Sequence, residues 1–459
     1  MYALQNPQIE HAVHLPDEIL RLIFLRAIPP SIFLDTSHSL PSPSPYVRAL
    51  ATKQSIVLTC AQWARVGSEF LYDTVSLHHL GPFLAFARTL AQRPALGDLV
   101  RTINLEFVVF RGFMQLYMRE LQAIFVACPR LEHIGQGALL PDWEGCLPQN
   151  TGTHSEAHWE AVTRSLSLLP RWLRRLDIVS GGWIKLFEKI AVEFVALEEL
   201  SFTLQPDDSI PESYPTEIMH FPHLTALRLS LEAEAENALA RIALKWRTPA
   251  LTHVRFDLHG SPLQVASFLV APTRSQITYL HLRACCEGNS PSSIPLDFLP
   301  GACPALTHLV LSAGAGLPAT PHPAVRHLDL WTPKTLAFSE FVARIRADAS
   351  RAFPNLCTIR ALDRTLMGVA DWPRLFPPTA AVTDAIEYAF EGFCVRVADG
   401  AITRVNDEVN DEENGATDSN YGSNEKSEGS DANYDSDEEN EGSGSGYDSN
   451  SDYDSEDSG

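Results

Sequence analysis

Five six-residue segments decide the fold: Leu224-Thr225-Ala226-Leu227-Arg228-Leu229, Leu251-Thr252-His253-Val254-Arg255-Phe256, Ile277-Thr278-Tyr279-Leu280-His281-Leu282, Leu306-Thr307-His308-Leu309-Val310-Leu311 and Val325-Arg326-His327-Leu328-Asp329-Leu330. Each is apolar at its first, fourth and sixth positions. The last two sites lie two apart and share one face of a short strand, while the first packs in the turn leading into it. The same spacing occurs at Leu173-x-x-Leu176-x-Ile178 and Leu197-x-x-Leu200-x-Phe202. Weaker copies begin at Val100 and Leu356, and the copy at Leu131-x-x-Ile134 is broken by Gln136. Central copies start 24, 27, 27, 26 and 29 residues apart. Between them, helical spacing predicts helices over Ser155–Leu169, Glu234–Trp246 and Leu336–Ala349. No single unit can bury its apolar face, so the units must stack.

This period and pattern resemble leucine-rich repeats. The resemblance implies an α/β horseshoe with strands on the concave side. Asn or Cys is expected three residues after the last apolar site. That slot holds Gly181, Gln205, Glu232, His259, Cys285, Gly314 and Pro333, so only Cys285 fits. The expected array is therefore irregular and lacks an Asn hydrogen-bond ladder. Spacings of 42 (131 to 173) and 19 (306 to 325) suggest an insertion and a degenerate unit.

Residues 14–77 open His14-Leu15-Pro16-Asp17-Glu18-Ile19-Leu20-Arg21-Leu22-Ile23-Phe24 and continue through Val57-Leu58-Thr59-Cys60-Ala61-Gln62-Trp63 to Phe70-Leu71-Tyr72-Asp73-Thr74-Val75. Ile19, Leu20, Ile23 and Phe24 make one apolar helix stripe. Two or three short helices form a weak core alone, which points to a partner that completes it. The run resembles an F-box of the type common in mushroom-forming fungi. That resemblance implies binding to a Skp-type adaptor and, through it, a cullin–RING ubiquitin ligase. It assigns adaptor contact to Leu15, Pro16, Ile19, Leu20, Ile23, Leu58, Cys60 and Trp63. The stretch from Ala27 to Ser55 is longer than an F-box usually has. A plain helical cap on the repeats is the alternative.

Charge is uneven. The 459 residues carry a formal charge of −22, yet Asn406–Gly459 alone holds 19 acids against one lysine, net −18. The body is thus nearly neutral at −4, with no basic face for nucleic acid or anionic membrane. The acidic segment has too little apolar surface to fold and is expected to be disordered, either solvating or regulatory. Apolar runs fall far short of a spanning helix. Met1–His11 lacks the marks of a signal peptide. Eight Cys without CxxC spacing suggest reduced thiols in the cytoplasm or nucleus. The expected layout is an extension (1–13), the F-box-like helices (14–77, with a Pro/Ser-rich loop at 29–46), a connecting helix (78–98), repeats (99–365), a C-terminal cap (366–405) and the acidic tail (406–459).

The strand positions between apolar sites should face the concave surface. They align Arg228, Arg255, His281 and Arg283 on neighbouring strands, with Tyr279 and Trp331 nearby. Arginine forks suit carboxylates and phosphates, so this patch is a candidate target-binding site for an acidic or phosphorylated segment. A solvated face, or a dock for the acidic tail, are alternatives. His133, His253, His308 and His327 recur in one slot without the cage a metal needs, and no metal or cofactor is expected. The His154–His158 pair lacks the glutamate of an HExxH arrangement. Cys128 and Cys303 occupy matching repeat positions and are expected to be buried structural thiols. Nucleophile-elbow, phosphate-loop and dinucleotide motifs are missing, so no catalysis is expected. The expected function is a non-catalytic substrate receptor of a ubiquitin ligase. The alternative is a leucine-rich interaction scaffold unrelated to ubiquitination.

Overall fold

The computed structural model describes residues 15–28, 45–107, 109–136, 166–178, 184–204, 218–231, 239, 243–258, 263–270, 274–284, 296–312, 316–332, 345–346, 348–366, 371–378, 386–390, 393–398 and 401–405. Contacts divide the chain into residues 1–407 and 408–459. The expected disordered tail lies outside the described residues, as do residues 29–44 of the Pro/Ser-rich stretch, His154, His158 and Cys285.

Helices α1 (Asp17–Ala27), α2 (Pro45–Thr59) and α3 (Ala61–Asp73) come first. The last two residues of the expected Pro/Ser loop, Pro45 and Tyr46, are helical instead. Pro tolerates the first turn, where its missing N–H costs nothing. Strand β1 (Thr74–Leu77) follows, then α4 (Leu80–Gln92), β2 (Thr102–Leu105), α5 (Met114–Ala127), β3 (His133–Gln136), β4 (Arg175–Ile178), α6 (Ile184–Glu193) and β5 (Glu199–Leu204). Next come β6 (Met219–His220), β7 (Ala226–Leu231), β8 (Trp246–Arg247), β9 (His253–Leu258), α7 (Leu263–Leu269), β10 (Tyr279–Ala284), α8 (Leu299–Ala302), β11 (His308–Ser312), β12 (His327–Trp331) and β13 (Thr358–Leu362). A four-residue helix, α9 (Trp372–Leu375), precedes β14 (Ile386–Phe390), β15 (Phe393–Ala398) and β16 (Ala401–Val405).

The chain is mixed α/β and built on a long parallel sheet. Fourteen described strands form it, in the order β1-β2-β3-β4-β5-β7-β9-β10-β11-β12-β13-β16-β15-β14. Every neighbouring pair through β13–β16 is parallel, and β16-β15-β14 closes the edge antiparallel. Strands β6 and β8 pair separately. The fourth repeat position stays in register throughout, Leu227 on Val254, Val254 on Leu280, Leu280 on Leu309 and Leu309 on Leu328. Neither irregular spacing breaks this row, because Ile134 still pairs with Leu176. A one-residue slip would turn every buried leucine outward, which is what fixes the register.

The apolar repeat sites are almost fully buried, in one continuous cluster reaching from Leu77 to Phe353. Each such side chain contributes about 1.5–3 kcal/mol relative to exposure. The absent Asn ladder has a substitute. Thr225, Thr252, Thr278 and Thr307 each donate a side-chain hydroxyl to the carbonyl at the same position of the preceding unit, at 3.1–3.3 Å. Their backbone N–H groups use the same carbonyls. In these four units the threonine after the leading apolar residue thus satisfies the turn into the strand.

The Glu234–Trp246 expectation needs one correction. Leu239 and residues 243–245 are helical, but Trp246 begins β8 and packs edge-on to Phe202, Phe221 and Phe268. Pairing with Met219 and burial of the indole override the helical period there. Of the other two expected helices, the described portions are residues 166–169, helical through 168, and residues 345–346 and 348–349, all helical.

A glycine lets the turn after α4 lie against the end of α5. A Cβ on Gly97, in the 3-10 turn Pro94–Leu99, would lie 1.9 Å from the Ala127 carbonyl oxygen at the end of α5. Only hydrogen fits between these two backbones.

Candidate functional site

Two surfaces carry the candidate residues. The first is the N-terminal helical unit. Pro16 precedes α1, its carbonyl accepting from the Ile19 and Leu20 N–H groups. Leu20, Phe24, Ile28, Ile56 and Val66 form a small core, with Leu15, Trp63 and Phe70 packed on it. Phe24 meets Trp63 edge-on at 5.1 Å and Phe70 at 6.0 Å. Polar ties brace the outside: Gln62 Nε2 donates to the Leu15 carbonyl at 2.6 Å, Arg21 to Glu69, and Arg65 to Asp17. Both guanidiniums hold Asp17 below the usual carboxylate range, Arg65 by hydrogen bonding most of all.

This packing sorts the expected adaptor contacts. Leu20 is completely buried, so it supports the core and offers nothing to a partner. Trp63 and Leu15 are half-buried against the same core. Cys60 is exposed, and its Sγ accepts from the Trp63 N–H, capping α3. Pro16, Ile19, Ile23 and Leu58 are exposed, and Leu58 is 82% so. Leu22 and Leu25, each 60% exposed, join them. The expected stripe is thus split, one edge facing in and the other out. Leu22 and Leu25 lay in the sequence, outside the strict helical stripe.

The second surface is the strand face opposite the apolar core. The rows expected there are real. Ser201, Arg228, Arg255 and His281 sit side by side on β5, β7, β9 and β10. Ala226, His253, Tyr279, His308 and His327 form the neighbouring row. The expectation that this face is open is corrected beyond β7. Strand β5 alternates between half-buried and buried, but on β9 every residue after His253 is buried. Arg255, Tyr279, His281 and Trp331 are all buried, leaving Arg228 and Arg283 partly exposed.

The cover is the chain's own segment 371–376. Asp371 Oδ1 accepts from the Tyr279 hydroxyl at 3.0 Å and lies 3.2 Å from His281 Nδ1 and 3.8 Å from Arg255 Nη1. Arg374 pairs with Glu199 at 2.5 Å, and Arg360 Nη1 donates to the Phe376 carbonyl at 2.6 Å. Trp372 is fully buried, donates to the Leu366 carbonyl and stacks on Phe376. A polar cleft of about 390 Å³ remains beside this strap, lined by Arg175, Asp177, Glu199, Ser201, Arg228 and Leu375 among others.

Beneath the strap the buried charges are paired. Asp257 accepts from Arg228 Nε at 2.9 Å and Arg255 Nε at 3.1 Å, with Arg283 at 3.8 Å. Burial alone would raise the Asp257 carboxyl, but Arg255 and Arg228 outweigh it and hold it far below the ordinary range. Asp371 behaves likewise: burial is overcome by His281 and Arg255. Asp329 bridges His308 and Arg360, and Asp177 bridges His133 and Arg175. Trp331 Nε1 is only a donor, and it reaches His281 Nε2 at 3.0 Å. His281 must therefore be neutral with its proton on Nδ1, aimed at Asp371. Burial, seconded by Arg255, keeps this imidazole below its usual range.

Among the described residues no cluster of His, Cys, Asp and Glu could hold a metal ion. Cys128 and Cys303 are buried, and burial pushes each thiol up to about 12, as inert structural thiols require. No described helix is long and apolar enough to cross a membrane. Asp371, Arg374 and Glu199 were not among the expected site residues. Glu199 sits in a repeat slot, but Asp371 and Arg374 lie in a segment without the repeat.

Neither a known family model nor a curated protein matches the chain. Among solved structures, a chain from the crystal structure of the Rad7 and Elc1 complex in yeast aligns with 11% identity and a TM-score of 0.32, over 76% of this chain and 89% of that one.

Proposed function

We propose that the protein is a non-catalytic substrate receptor of a Skp–cullin–F-box type ubiquitin ligase, acting in the cytoplasm or nucleus. Its N-terminal helices are an F-box that holds the Skp-type adaptor, and its leucine-rich repeats select the target. One observation carries the reading. A helical unit with a core of only a few side chains exposes Ile19, Leu22, Ile23, Leu25 and Leu58. Covering such side chains gains about 25 cal/mol per Å², so an adaptor that buries them is stabilising. The receptor would do no bond chemistry; it would raise the effective concentration of target lysines beside the ubiquitin-carrying enzyme.

The adaptor contacts are best tested at exposed sites. Trp63→Ala would also remove the edge contact with Phe24, whereas Ile23→Asp and Leu58→Asp leave the core intact. The full chain should co-purify with a Skp-type adaptor, and the double variant should not. If the wild-type chain fails to capture the adaptor, a leucine-rich scaffold unrelated to ubiquitination replaces this reading.

A further inference from the structure

We propose that the strand face beneath Asp371 binds an extended acidic segment of another protein, and that residues 371–376 occupy this face as an intramolecular stand-in which such a segment displaces. This rests on the target-binding role given above to the repeats, and not on adaptor binding.

Three donors converge on one carboxylate. Tyr279 and His281 project from β10 and Arg255 from β9, all toward Asp371 Oδ1. Trp331, from β12, fixes the His281 tautomer so that its N–H faces that oxygen. A hydroxyl, an imidazole N–H and a guanidinium set by neighbouring strands make a carboxylate receiver. The receiver belongs to the repeats, while the carboxylate comes from a segment outside them.

Exchange also costs little in charge. Removing Asp371 alone would leave Arg255 buried beside Asp257, which already faces Arg228 and Arg283 as well. An incoming carboxylate restores the lost partner, so replacing Asp371 by another acid avoids an unpaired buried charge. The strap's outer clamp is the Arg374–Glu199 pair, partly exposed and weakly held. The open cleft beside that clamp gives an arriving acidic residue a place to start, next to Arg228.

The test uses a labelled peptide of the strap's own sequence, residues 371–376, and the purified full chain. Replacing residues 371–376 by alternating Gly and Ser vacates the face. That chain should bind the peptide at least about tenfold more tightly than wild type, whose affinity is scaled down to the fraction of time its own strap is unseated. A peptide with Asn in place of Asp should lose this gain. If the strap-replaced chain does not fold, Asp371→Ala, which removes only the carboxylate, decides by the same readout. The proposal is overturned if the folded variant binds no more tightly than wild type, or if the Asp and Asn peptides bind alike. Adaptor capture by the same preparations tells failure of this inference from failure of the receptor reading.

Discussion

The N-terminal helices and the strand face solve the burial problem in opposite ways. The helices leave large aliphatic side chains exposed, Leu58 at 82%, over a core of few residues. The strand face places Arg, His and Asp beneath a segment of the same chain and pairs them there. One surface is apolar and has no cover among the described residues; the other is polar and already covered. On the proposed reading, the first half meets a partner as it stands, and the second must first give up an internal contact.

The largest expected effect tests the covered half. Asp371→Ala strips Tyr279, His281 and Arg255 of a shared acceptor, and removing one member of a buried charged network typically costs about 3 kcal/mol. Urea melts of the variant should show that loss. A melt indistinguishable from wild type would mean that the strap is not seated on the face. Next comes the close backbone approach beside α5. Gly97→Ala forces a methyl against the Ala127 carbonyl, and overpacking of this kind costs about 1–3 kcal/mol. A change near zero would show that α5 yields freely.

The third prediction is one of sign. The groups facing His281 are Asp371, Arg255, Asp257, Tyr279 and Trp331. Because its folded pKa is lowered, the unfolded chain binds the proton more readily. Stability therefore falls as pH drops through about 6.5, the ordinary imidazole value. The carboxyls of Asp177, Asp257 and Asp371, held low, add a second loss only below about pH 4. His253, His322 and His327, also held low by burial, add to the imidazole decline, so His281→Gln should lessen the slope between pH 7.5 and 5.5, and an unaltered slope would place the titrating groups elsewhere. The smallest expected effect falls on the exposed half: Ile23→Asp with Leu58→Asp should shift stability by no more than about 0.5 kcal/mol. A large shift would mean that these side chains belong to the core after all.

These contrasts also mark what was legible in the sequence. Strands β4, β5, β7 and β9 to β12 follow from apolar sites three and two apart, because that spacing is a local property of each segment. The side-by-side rows of Arg228, Arg255 and His281 follow too, since register depends on the same buried leucines. The cover does not. Asp371 meets Tyr279 across 92 positions, from a segment with no repeat to announce where it goes. Asp257 lies two residues after Arg255, yet its weight as the shared counter-charge appears only when three guanidiniums close on it. The threonine ladder was not read from the sequence: Thr225, Thr252, Thr278 and Thr307 share a repeat slot, but their role needed the carbonyl one unit back. On α1 the periodicity gave an apolar stripe, but only packing against Ile56 and Val66 tells Leu20, turned inward, from Ile23, turned outward.

The most direct test of the receptor reading is calorimetric titration of the purified full chain with a purified Skp-type adaptor. The account predicts a one-to-one complex with a negative heat-capacity change, as burial of Ile23, Leu25 and Leu58 requires, and no detectable heat with the Ile23→Asp, Leu58→Asp chain. Absence of binding by the wild-type chain, or binding unaltered in the double variant, would contradict it.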